Sequence, residues 1–173
     1  MLARILIPAV AVILFLLESE FAMFSPMNWN GGTYFLIPRF VILYLIFLAI
    51  YYNRKKAMIY GLILGLCFDV FYINIIGLYT FLYPVVCFIA GWCMKRIHPH
   101  LLFSTILAII LMSIIEVTIY EFFYMLQFTT MALKTFLLYR LLPTILANLL
   151  YLVMLGWVFK YLIRARVLQR AQE

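Results

Sequence analysis

The chain has 173 residues, of which 69% are hydrophobic, 18% aromatic and only 11% charged, and its mean hydropathy is +1.15. A soluble domain carries about one-quarter charged residues, so there is too little polar surface here to coat a water-exposed particle. That excludes a soluble enzyme, a secreted disulfide scaffold, a nucleic-acid-binding domain and a disordered regulator. The net charge of +7 does not revive nucleic acid as a partner. Most Lys and Arg sit at the ends of apolar runs, and none forms a basic block interleaved with aromatics.

In chain order the apolar runs cover residues 5–24, 34–52, 57–73, 76–94, 101–126 and 136–160, which predicts six transmembrane helices in a single domain, 1–173. At about 20 residues per span, six spans use about 120 residues and leave no room for a soluble domain. Arg4 ahead of Ile5 to Leu17 imitates a signal peptide, but Glu18-Ser19-Glu20-Phe21 lacks a small-x-small cleavage site, so the first span is expected to be retained. The connections are short: 25–33, Asn53-Arg54-Lys55-Lys56, a tight turn near Asn74 and Gly77, 95–100, and 127–135. Successive helices should therefore be antiparallel neighbours. With the N-terminus inside, ten of thirteen basic residues (Arg4, Arg54, Lys55, Lys56, Lys95, Arg96, Lys160, Arg164, Arg166 and Arg170) face the cytoplasm. Arg39, Lys134 and Arg140 fall outside, which fits both termini in the cytoplasm. Trp29, Tyr34, Trp92, Tyr139 and Trp157 lie near the proposed boundaries.

An ionised group at bilayer depth costs about 2.5–3.5 kcal/mol even on mild insertion scales, so each needs a partner. Asp69, Glu116 and Glu121 fall at similar depth in the outer half, where Arg39 and Arg140 also enter. This predicts a buried polar network of the two arginines with some of Asp69, Glu116, Glu121, Glu18 and Glu20, which fixes helix rotation and register. An ion or substrate path, or contact with a partner helix, is the alternative. Gly61, Gly65 and Asp69 follow at i, i+4 and i+8 with Tyr72 beyond, a stripe that lets another backbone approach closely. It should face protein, either the bundle interior or a partner, including a second copy in a homodimer. The sixth span carries a similar line, Arg140, Thr144, Asn148 and Tyr151, beside a kink expected at Pro143.

Catalytic signatures are absent. There is no GxSxG, no HExxH and no phosphate-binding glycine loop. His98 and His100 lie in a short loop without acidic or cysteine companions, and Cys67, Cys87 and Cys93 read as small apolar residues. No enzyme activity, metal or cofactor is expected.

The run Arg54-Lys55-Lys56 followed by Gly61-Leu62-Ile63-Leu64-Gly65-Leu66-Cys67-Phe68-Asp69-Val70-Phe71-Tyr72 and Gly77 resembles the rod shape-determining MreD family, as does Pro38-Arg39 at the start of the second span. The resemblance implies a non-enzymatic scaffold of the bacterial elongation machinery in the cytoplasmic membrane, in contact with membrane lipid. Its implied partners are MreC and a larger complex with MreB, RodA and a class B penicillin-binding protein. It also implies a fold similar to the substrate-binding subunits of energy-coupling-factor transporters, with an outward cavity. The competing reading is a vitamin-type uptake subunit in which Asp69, Glu116, Arg39 and Arg140 line a ligand pocket. Against it, such subunits present an alanine-rich first helix, whereas this one is dominated by Leu, Ile and Phe.

Overall fold

A computed structural model describes residues 2–29, 32–94 and 100–172. Lys95, Arg96, His98 and Pro99, to which topology and loop readings were attached, lie outside the described residues. The elements are α1 (Leu2–Ala22), a two-stranded hairpin of β1 (Met27–Trp29) and β2 (Gly32–Tyr34), α2 (Phe40–Tyr51), α3 (Arg54–Phe68) continued by a π-helical turn (Asp69–Ile73), α4 (Leu78–Cys93), α5 (Leu101–Met125), and a last rod. That rod comprises α6 (Leu133–Phe136), a π-helical turn (Leu137–Leu141) beside Pro143, and α7 (Leu142–Gln172).

Among the described residues the regular structure is helical apart from the hairpin, in which Met27 pairs with Tyr34 and Trp29 with Gly32. Of the described helices, four are long and apolar enough to cross a bilayer, while α2 and α4 are shorter apolar helices. This corrects the expected second span: only Phe40–Tyr51 of 34–52 is helical, and the first residue of that range belongs to β2. Twelve residues at 1.5 Å each make about 18 Å, short of the roughly 30 Å of hydrocarbon. A short helix is tolerated because α2 runs through the middle of the bundle. It is apolar on every face, and Val41 through Leu48 are all buried, packed by α1, α3, α4, α5 and α7.

The third helix begins earlier than expected. Asn53 accepts from the Lys55 N–H at 2.9 Å and the Lys56 N–H at 3.3 Å, so it caps a helix whose first turn is the basic triplet. Its tightest neighbour is α4. A Cβ placed on Gly65 would lie 2.5 Å from the Tyr79 carbonyl oxygen, and one on Gly61 would lie 3.3 Å from the Pro84 nitrogen. The opposite face of α3, with Ile59, Leu62, Ile63 and Leu66, is exposed, as are Val153, Met154 and Trp157 of α7. An apolar exterior of this kind is what a bilayer solvates.

Candidate functional site: the buried charged groups

Two of the short helices begin inside the bundle, and a helix start exposes backbone N–H groups that nothing in hydrocarbon can satisfy. A carboxylate from the preceding helix meets each of them. At α4 the capping position is Gly77, which has φ +116° and no side chain. Asp69, fully buried, takes over that role from the end of α3. Its Oδ1 accepts from the Tyr79 N–H at 2.8 Å, and its Oδ2 accepts from the N–H of Gly77 at 2.8 Å, the N–H of Thr80 at 3.0 Å and the Thr80 hydroxyl at 2.6 Å. The helix dipole adds to the attraction.

At α2 the acid is Glu18 of α1, whose Oε2 accepts from the Val41 N–H at 2.9 Å. The lead-in to this helix, residues 35–39, is extended backbone within the protein and is satisfied almost entirely by α7. The Thr144 hydroxyl accepts from the Ile37 N–H and donates to the Phe35 carbonyl, both at 3.2 Å. Asn148 accepts from the Arg39 N–H at 2.9 Å and donates to the Ile37 carbonyl at 2.9 Å. Thr144 and Asn148, one turn apart, thus act as a second strand for a segment that has none.

Arg39 closes the cluster. Its Nε donates to Glu116 Oε1 of α5, its Nη1 lies 3.8 Å from Glu18 Oε1, and its guanidinium stands 5.4 Å from the Tyr79 ring centroid. All three charged residues are buried. Burial of this kind binds α1, α2 and α5 together, since each charge depends on the others for compensation.

The expected network therefore divides. Arg39 meets Glu116 and Glu18, two of the acids expected to pair with it, at the start of α2, where Asn148 accepts from the Arg39 N–H. Asp69 is not part of it: all four of its hydrogen bonds go to the start of α4. Glu121 is exposed, because α5 turns it away from the bundle. Arg140 has no carboxylate within 4 Å among the described residues. Gly61 and Gly65 lie against α4, so this face packs inside the chain and has no room for a partner span. Tyr72, in the π-helical turn, is half-exposed and packs on Phe15 and Phe68. Sequence reasoning missed Thr80, whose signal was an acid eight residues ahead of a Gly-x-x-Thr helix start. It also missed the buried Tyr51–Ser104 hydrogen bond of 2.8 Å between α2 and α5.

An apolar exterior around a core whose charges hold its own helices defines a multi-pass α-helical membrane protein. The chain belongs to the MreD family: the family model for rod shape-determining protein MreD matches residues 3–165. It is 31% identical over 146 residues to the Rod shape-determining protein MreD of Bacillus subtilis (strain 168), covering 84% of this chain and 85% of that one. It is 25% identical over 129 residues to the Cell shape-determining protein MreD of Streptococcus pneumoniae (strain ATCC BAA-255 / R6), covering 72% and 76%. No solved structure matches the chain.

Proposed function

We propose that the chain is a non-enzymatic membrane scaffold of the cell-elongation machinery, which supports rod shape and lateral peptidoglycan synthesis by binding MreC. The observation that carries this reading is the family match along nearly the whole chain, with relatives named for rod and cell shape. MreC is the direct partner, and MreB, RodA and a class B penicillin-binding protein complete the assembly. The basic residues of the Arg54–Lys56 turn and of the α7 tail favour both termini in the cytoplasm, which turns the β-hairpin end of the bundle outward. Because α4 occupies the Gly61–Gly65 face, the partner's span meets a different surface of the protein.

The test is replacement in a rod-shaped bacterium depleted of its own family member, with affinity purification from the same cells. The expected result is restored rods and recovery of MreC with the tagged chain. Spherical cells despite normal membrane levels, or purification without MreC, would overturn it.

A further inference from the structure

Arg140 is partly buried and, among the described residues, has no carboxylate against it. Its Nε is shielded from solvent and makes no hydrogen bond, and the Phe136 ring centroid lies 6.0 Å from its guanidinium. Glu116 is engaged by Arg39, and Glu121 points away. A shielded guanidinium nitrogen without an acceptor is costly, while the rest of the partly exposed side chain is left free to meet a ligand. It borders a cavity of about 510 Å³ at the hairpin end, whose wall includes Phe35, Ile37, Arg39, Tyr79 and Phe123.

The extended segment 35–39 forms a partition. On its other side runs a groove of about 430 Å³ between α1 and α7, lined by Leu17, Phe21, Leu150 and Met154 and almost wholly apolar. Leu36 borders both spaces. Arg140 stands seven residues before Ala147 of the groove, about 10 Å along the same rod. A cationic socket and an apolar groove therefore flank one thin partition.

We propose that Arg140 binds the phosphate of a membrane phospholipid, with an acyl chain of the same molecule lying in the groove between α1 and α7. A guanidinium matches phosphate oxygens in a two-pronged fork. Arg39, with Glu116 and Glu18 against it, adds no free positive charge, so the site calls for a single anionic charge, which a phosphodiester supplies. Inorganic phosphate carries more charge and has no chain to fill the groove.

The full chain in mild detergent is titrated with phosphatidylglycerol, with diacylglycerol of the same chains, and with inorganic phosphate, and bound molecules are counted by native mass spectrometry. One phosphatidylglycerol should be retained, with at least tenfold weaker retention by Arg140→Gln and clear weakening by Met154→Trp, a substitution at an exposed groove position. Diacylglycerol and inorganic phosphate should bind no better than phosphatidylglycerol binds to Arg140→Gln. If Arg140→Gln does not stay monodisperse, Arg140→Lys, which keeps the charge and loses the fork, serves in its place and should also weaken retention. Equal retention by the wild type and the Arg140 variant, or binding of inorganic phosphate at the level of the lipid with no effect of Met154→Trp, would overturn the proposal.

Discussion

Glu18 and Asp69 perform one task at two places: each sends a carboxylate from the end of one helix to the N–H groups that open the next. The alternative for those N–H groups is to remain unsatisfied in an apolar interior, at about 1–3 kcal/mol each. Arg39 and Glu116 answer to a different need, since the cation at the head of α2 requires an anion, and α5 provides it. Removing one partner of a buried pair strands the other, at about 3–5 kcal/mol. Glu116→Gln should therefore lower the stability of the protein in detergent by about that much, while Glu121→Gln, on the exposed side of the same helix, should leave it unchanged. Denaturant titration followed by circular dichroism measures both. At this scale the sequence disclosed which charges were expensive and that opposite signs shared a depth. It could not disclose their partners, because these depend on α2 starting at Phe40, a boundary obscured by the apolar residues Tyr34 to Ile37 that precede Pro38-Arg39.

Among the elements, α3 and α4 form the tightest pair, and the reason is legible in the chain. Gly61 and Gly65 remove two side chains from one face, and the Tyr79–Tyr83 backbone of α4 fills the gap. Gly65→Ala forces a methyl group to 2.5 Å from a carbonyl oxygen, so the helices must separate. The expected loss is about 1–3 kcal/mol, with a smaller loss for Gly61→Ala, where the nearest atom is 3.3 Å away. Thermal unfolding of the two variants in the same detergent ranks them. The hairpin was not foreseen, although Asn30-Gly31 between two short runs is a tight-turn signal. The polar character of 25–33 suggested a loop instead. The start of α3 was also misplaced, because Arg54-Lys55-Lys56 served as a topology signal and Asn53 was not recognised as its cap.

For the molecule as a whole, composition pointed to the membrane and each of the six apolar runs holds a helix, but among the described residues only four of these helices are long and apolar enough to cross a bilayer. What composition could not reveal is the division of labour between the long helices, which face lipid, and α2, which touches almost none. A run of apolar residues has the same appearance in either place, and only the absence of a polar face hints that α2 is surrounded. The bundle is held at its centre by two helix starts, each closed by a borrowed acid.

The most direct test is hydrogen exchange followed by mass spectrometry on the full chain carrying Asp69→Asn. An amide in place of the carboxylate turns an NH₂ group toward backbone donors, so peptides covering Gly77 to Tyr83 should exchange faster than in the wild type, while those covering Phe40 to Phe47 keep their protection. Unchanged exchange at Gly77 to Tyr83, or equal loss of protection in both segments, would contradict the assignment of Asp69 as the cap of α4.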